Sequence, residues 1–363
     1  MAVSSPLLLA LDAMGGDHAP RAVVEGAALA RKENPALSFV LFGDQTQILP
    51  LLSAHPDLAA VSTVRHTETT VDACEKPSTA LRKKESSSMG MAIAAVRDGQ
   101  AAGVVSGGNT GALMAMAMFV LRRLPGIDRP AIASVFPTMG RDTVVLDLGA
   151  NTACDAENLV QFALLGAVFS RVVRGVELPS VGLLNVGTED LKGREEIRAA
   201  AAILKDVSFP GRFVGHVEGN DIPRGQVDVV VADGFTGNVA LKLAEGMGQF
   251  SSHVLREALS SSWLAKAGAI LAWPALRRLK ARLDPRLYNG GPFLGIDGVC
   301  VKSHGGSDAL GFSRAILVAA HMVENGFNAR VAEEIRALAE SESALKARTV
   351  QSALSDSLTR PLP

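Results

Sequence analysis

The sequence predicts an α/β fold built on a largely parallel sheet that is covered on both faces. Three observations predict it. Short β-rich runs alternate with helical runs along most of the chain. Five of those runs end in a cluster of Gly, Asn, Asp or Ser that then opens a helix. The 363 residues are 48% hydrophobic and 20% charged, enough apolar surface to sandwich a sheet between helices.

In chain order, the first unit is a strand over 7–11, a turn over 12–17 and a helix over 20–32. The apolar run closes at Asp12, which gives it strand length. A strand follows over 38–42. The second unit is a strand over 103–106, a turn over 107–111 and a helix over 112–122, and then a strand over 132–136. The third runs 143–148, 149–155 and 156–173, followed by strands over 181–185 and 212–216. The fourth runs 227–232, 233–238 and 239–255. The fifth runs 298–301, 302–307 and 308–323. After about Val331 the pattern is helical and then polar, so a polar tail is expected over 346–363. No fixed repeat appears, and no Pro- or Ser-rich linker divides the chain.

Composition excludes some classes. The formal net charge is −1, so no global basic field exists to hold a nucleic acid. No apolar run reaches the length of a spanning helix, and the start of the chain lacks the basic region of a secretory signal. The expected location is cytoplasmic. Cys74, Cys154 and Cys300 lie far apart with no metal-ligand spacing, which reads as reduced thiols. Walker, GxGxxG, HExxH and GxSxG motifs are absent, so nothing demands a metal, a cofactor or a covalent intermediate.

The turns carry the chemistry. A strand–turn–helix unit points unpaired backbone N–H groups and a helix dipole at whatever sits above the strand end, and that favours an anion. The turn at 106–112, SGGNTGA, is the best candidate. Gly107, Gly108 and Gly111 allow close approach, and Asn109 and Thr110 add polar groups. DGFTGN at 233–238 and HGGSD at 304–308 share the design. A bland reading stands beside each one, a tight turn with a capping residue. Lys302 and His304 flank one turn, Lys192 follows VGTED, and Arg82, Lys83 and Lys84 form a basic cluster.

The stretch 263–288 holds both tryptophans and the only tyrosine. It carries six basic residues and one acid, a net +5 that leaves −6 for the rest. Trp263 and Trp273 supply aromatic tips, and Arg277, Arg278, Lys280 and Arg282 supply charge; Pro274 breaks the helix in two. Such a hairpin fits an anionic membrane surface, and it fits an oligomer contact equally well.

Taken in order, LALDAMGGD (9–17), SGGNTGALM (106–114), LDLGAN (146–151), LLNVGTEDLKG (183–193), GHVEGNDI (215–222), DGFTGNVALK (233–242) and Tyr288–Gly305 with its closing VKSHG resemble the bacterial acyl-carrier-protein:phosphate acyltransferases, the PlsX family. The likeness spans about 9–323. Departures are small: Gly107 stands where the family usually has Ala, and Gly291, Pro292 and Phe293 replace a small-apolar run. His18 and His216 fall where the family varies.

The resemblance implies a three-layer α/β/α fold like that of phosphate acetyltransferases and isopropylmalate dehydrogenases. Two intertwined lobes with a cleft would span 1–345, with the hairpin at about 250–288. It implies a homodimer at the inner face of the membrane. The reaction would move a long acyl group from the thioester of acyl carrier protein to inorganic phosphate. A membrane glycerol-phosphate acyltransferase would consume the acyl phosphate in phospholipid synthesis.

Phosphate is already anionic, so the site has to position it and stabilise an oxyanion rather than supply a strong base. The expected phosphate cradle is Gly107–Gly111 with Asn109 and Thr110, supported by Asp12, Gly15, Gly16 and Asp17. Lys302, His304 and Asn109 are the expected catalytic groups, with Lys192 and Asn238 behind them. The carrier would meet Arg82–Lys84 or the hairpin. Acyl-CoA as donor, a non-catalytic membrane scaffold and a related decarboxylating dehydrogenase are the competing readings, and Cys74, Cys154 and Cys300 are candidates for a covalent acyl intermediate within the main one.

Overall fold

The computed structural model describes residues 7–282 and 284–340. The tail expected over 346–363 and the side chain of Lys280 lie outside what is described.

The first half builds strands β1 (Leu7–Asp12), β2 (Leu37–Gly43), β3 (Ser62–His66) and β4 (Gly103–Ser106). Between them come α1 (Arg21–Glu33), α2 (Gln45–Ser53), α3 (Pro56–Ala59), α4 (Pro77–Ala80) and α5 (Ser88–Arg97), and α6 (Thr110–Val120) follows β4. Next come β5 (Ala131–Phe136), β6 (Thr143–Leu146), α7 (Ala156–Arg174), β7 (Ser180–Leu184), α8 (Glu195–Asp206), β8 (Arg212–Val217) and β9 (Val229–Val231). The chain then forms α9 (Gly234–Ser260), α10 (Trp263–Leu271) and α11 (Trp273–Arg282), and closes with β10 (Gly291–Leu294), β11 (Val299–Lys302) and α12 (Ala309–Glu324).

Eleven strands form one sheet in the order β3-β2-β1-β4-β11-β10-β5-β6-β9-β7-β8. Seven of the ten pairings are parallel; β11 with β10, β10 with β5 and β5 with β6 are antiparallel. The mixed, mostly parallel α/β fold read from the sequence is the observed one. Alternation sorts the strand side chains between two helical layers. Leu9 and Leu11 face α1 and α12 in one core, while Ala10, Phe42 and Val104 face α5 and α6 in another. α7 is apolar and long enough to cross a membrane, but 72% of it is buried as the central core helix.

The helix starts follow from capping chemistry. Asn109, Asp155, Asp233 and Asp308 each accept a first-turn N–H, so these turns do act as caps. α7 adds a capping box with Asn158 and stops at Gly175, whose φ of 67° is the left-handed conformation glycine allows. Capping also corrects two boundaries. The helices expected to begin at 112 and 239 begin at Thr110 and Gly234, because Asn109 and Asp233 recruit the polar turn residues into the first turn.

α9 departs from ordinary packing. Of its 27 residues only Gly234 and Gly237 are buried. Phe235, Val239, Leu243, Met247, Phe250 and Val254 form an exposed apolar stripe at helical spacing. α10 and α11 continue from it, and the break falls at Ala272 so that Pro274 lies in the first turn of α11, where its missing N–H costs nothing. Trp263 and Trp273 are both exposed.

Candidate active site

β1, β4 and β11 lie side by side and parallel, and their last residues are in register: Asp12 pairs with Ser106, and Ser106 with Lys302. Register partners share a face of the sheet, so three polar side chains stand in a row at one edge, beneath the start of α6.

Asp12 and Ser106 are buried. The Ser106 hydroxyl donates to Asp12 Oδ2 at 2.6 Å and accepts from the Gly108 N–H at 3.0 Å. The Met14 N–H donates to Asp12 Oδ1 at 3.3 Å. Burial pushes the Asp12 carboxyl up, opposed by the hydroxyls of Ser106 and Ser88, the Met14 amide and the charge of Lys302. The Asp12 carboxylate is held inside the turn by these groups. It anchors Ser106, and Ser106 fixes the turn.

Lys302 closes the row. Its Nζ donates to the Gly107 carbonyl at 3.2 Å and to the Ser303 carbonyl. Burial pushes its ammonium down to about 8, against the pull of Asp12 and Asp17. The side chain sits against the glycine turn itself.

Three loops interlock here. The Asp17 N–H donates to the Gly305 carbonyl at 2.9 Å, which ties the first loop to the last. At Gly15 a Cβ would stand 2.4 Å from Asp12 Oδ2 and 2.7 Å from the Gly108 nitrogen, so only glycine fits. Gly15→Ala is expected to push the turn outward and raise KM for an anionic substrate by about tenfold or more, with kcat less affected. Steady-state kinetics checks this; an unchanged KM would contradict the interlock.

Asn109 does different work from the catalysis expected of it. Its Oδ1 accepts from the Ala112 N–H at 3.0 Å. Its Nδ2 donates to the carbonyls of Ala73 and Glu75, both at 2.9 Å, and to that of Asp72 at 3.3 Å. The amide is consumed in capping α6 and latching the 72–75 loop, so Asn109 is a positioning residue. The N–H groups of Thr110 and Gly111 have no protein acceptor among the described residues, and both residues are exposed. They are open donors at a helix N-terminus, within a few residues of the carbonyl that holds Lys302.

His304 is exposed, and its Nδ1 accepts from the Gly306 N–H at 3.2 Å. Its backbone N–H donates to Asn289 Oδ1 at 2.9 Å. Asn289 also donates to Ser303 Oγ at 2.8 Å and the Gly311 carbonyl at 2.7 Å. Asn289, Ser106 and Ser88 were not singled out from the sequence. Ser106 and Asn289 stand inside quoted motifs and Ser88 just after the basic cluster, but only the folded contacts show that they brace the turn.

Lys192 and Asn238 do not join this site within one chain. The three antiparallel pairings reverse strand direction, so β6, β9, β7 and β8 run opposite to β1, β4 and β11. Their carboxyl ends, and the loops on them, lie at the other edge of the sheet. Lys192 is exposed there and paired with Glu189 at 2.8 Å. Asn238 lies against Gly149. Buried Asp147 organises that edge, accepting N–H bonds from Ile132, Gly149, Ala150 and Asn151 and from the Asn151 side chain. Asp233, also buried, caps α9 and is paired with Arg194.

Two cysteines are poor acyl acceptors. Burial pushes the Cys154 thiol up to about 11, and Cys300 is fully buried and pushed higher. Cys74 is exposed in the loop that Asn109 latches. In the basic cluster, Lys83 is tied to Glu75 at 2.9 Å, Lys84 pairs with Glu85, and Arg82 is exposed. In the hairpin, Arg277 and Arg278 are exposed, while Arg282 donates to the Thr138 carbonyl at 3.1 Å and moors α11 to the body.

Among solved structures the fold is like that of a phosphotransacetylase from Streptococcus pyogenes (TM-score 0.60, 15% identity, covering 88% of this chain and 94% of that one). It is equally like EutD phosphotransacetylase from Staphylococcus aureus (TM-score 0.59, 13% identity, 88% and 95%). At such identities these show the fold alone. The chain is 56% identical over 345 residues to the phosphate acyltransferase of Rhodospirillum centenum, covering 95% of this chain and 96% of that one. It is 54% identical over 333 residues to that of Rhodospirillum rubrum, covering 92% and 95%. A family profile described as "Fatty acid synthesis protein" matches residues 7–330. The chain belongs to that family, the PlsX family, and is a phosphate acyltransferase of fatty acid and phospholipid synthesis.

Proposed function

We propose that the chain transfers a long acyl group from the thioester of acyl carrier protein to inorganic phosphate. A phosphate oxygen attacks the thioester carbonyl carbon, the new C–O bond forms, the C–S bond breaks, and the carrier leaves as its thiol after taking up a proton. The products are acyl phosphate and free carrier. The observation that carries this is the row of Asp12, Ser106 and Lys302 in register beneath the open amides of Thr110 and Gly111.

In that arrangement the amides and Lys302 hold an oxyanion, and the second charge of phosphate is balanced before attack. Asp12 and Ser106 keep the turn in one geometry, so little reorganisation is left for the reaction step. A thiolate is a good leaving group, so a strong general acid at sulfur is not required. Incubating the protein with acyl carrier protein thioester, with and without phosphate, tests the reading. Phosphate-dependent acyl phosphate is the expected product. Turnover of acyl-CoA but not of the carrier thioester would replace the donor.

The exposed stripe of α9 supports a homodimer, because a 27-residue helix with an apolar face needs a partner to cover it. The exposed tryptophans and arginines at its tip support attachment to the anionic inner face of the cell membrane, where a membrane glycerol-phosphate acyltransferase would take the product. Replacing Trp263 and Trp273 by Ser is expected to weaken binding to anionic vesicles by about tenfold or more. Unchanged co-flotation at moderate salt would contradict the attachment.

A further inference from the structure

We infer that the groove between α5 and the carboxyl end of α6 is the docking surface for an acidic acyl carrier protein; this rests on the carrier reading above. The groove encloses about 890 Å³. Phe42, Met91, Phe119 and Leu121 line its floor. Phe119 is 62% exposed at the end of α6, an aromatic ring with no core of its own to fill. The Lys84 Nζ stands 5.4 Å from its ring centroid, a charge poised over an apolar platform.

The rim is basic where it is free. Four cations, Arg65, Lys84, Arg97 and Arg122, face three acids, Glu85, Asp98 and Asp297. Two of the acids are already held: Asp98 by Arg97 at 2.7 Å and Glu85 by Lys84 at 3.4 Å. Arg65 and Arg122 have no ion-pair partner among the described residues. Arg122 is also the one non-glycine described residue with a left-handed backbone, at φ 69° just past the end of α6. Glycine is the ordinary choice there, so Arg122 holds its place at a cost in backbone strain that glycine would not bear.

The groove leads to the reaction turn. Phe42, at its inner end, is the register partner of Asp12. α6 spans the distance from Thr110 at the turn to Val120 at the rim, about 16 Å at the rise of an α-helix. An acidic amphipathic helix seated on Phe119 between Arg65 and Arg122 would aim its prosthetic thiol along α5 and α6 toward Lys302. The charged rim favours this occupant over a bare alkyl chain, which would need a dry slot.

The test measures KM for acyl carrier protein thioester in wild type and in Arg65→Ala with Arg122→Gly. Glycine at 122 suits the left-handed backbone, so the fold is retained. The pair is expected to raise that KM by about tenfold and flatten its salt dependence, leaving kcat and KM for phosphate within about twofold. Phe119→Ser is expected to weaken binding of the unacylated carrier, read by calorimetry without turnover, while Arg122→Lys keeps it. If wild type turns over the carrier thioester and the double variant keeps its KM, the groove is the wrong surface. If wild type does not turn it over, the donor assignment itself fails and the docking site with it.

Discussion

Lys302→Ala is expected to lower turnover by about 100- to 1,000-fold, the loss typical of removing one group that stabilises an oxyanion. The size follows from place. Lys302 ends β11 in register with Ser106 and lies against the Gly107 carbonyl, three residues before the open amide of Thr110. Its pH dependence sharpens the test. Burial lowers the ammonium to about 8, so it is charged below that pH and neutral above it. kcat/KM for phosphate in the free enzyme therefore falls on the alkaline side of about 8, by about tenfold per pH unit. Lys302→Arg keeps the charge through that range and is expected to remove the alkaline limb at some loss of rate. A limb near 8 that survives in the arginine variant would belong to another group.

Asp12→Ala is expected to lower kcat/KM for phosphate by about 100-fold without Asp12 touching substrate. The carboxylate accepts the Ser106 hydroxyl and the Met14 amide, and Ser106 in turn holds the Gly108 N–H. Removing it frees Ser106 to turn, lets the glycine turn drift, and strips a counter-charge from Lys302. Two readouts separate positioning from simple unfolding. The alkaline pKa assigned to Lys302 is expected to fall below its wild-type value, because a charge that favoured the ammonium is gone. Asp12→Asn, which keeps the size and one acceptor, is expected to recover part of KM. A variant that melts normally and keeps both KM and the pH profile would sink the role.

Much of this was legible from the sequence because it is local. The strand expected over 7–11 is β1, that over 132–136 lies within β5, and the five turns fall where Gly clusters interrupt apolar runs. Several elements passed over have a signal that is weak or shared, although α8, with its plain amphipathic pattern, does not. β3 has mostly exposed or half-exposed side chains at the sheet edge. β10 carries Pro292 and is only four residues long. α5 is rich in Ala and Met, with little contrast between its faces.

The site divides in the same way. Lys302 and the 106–111 turn could be read from residue type and spacing. The reversal that carries Lys192 and Asn238 to the far edge could not, since three antiparallel pairings depend on contacts between distant segments. Asn109 looked like a ligand because Asn in a glycine turn is polar and flexible in use; its partners, the carbonyls of 72–75, lie over thirty residues away in sequence.

The most direct measurement is a crystal grown or soaked with orthophosphate. The account predicts the ion over the first turn of α6, bonded to the Thr110 and Gly111 amides with Lys302 turned onto it. An ion bound instead at the opposite edge, by Lys192 and the 233–238 turn, with the α6 end left vacant, would contradict it.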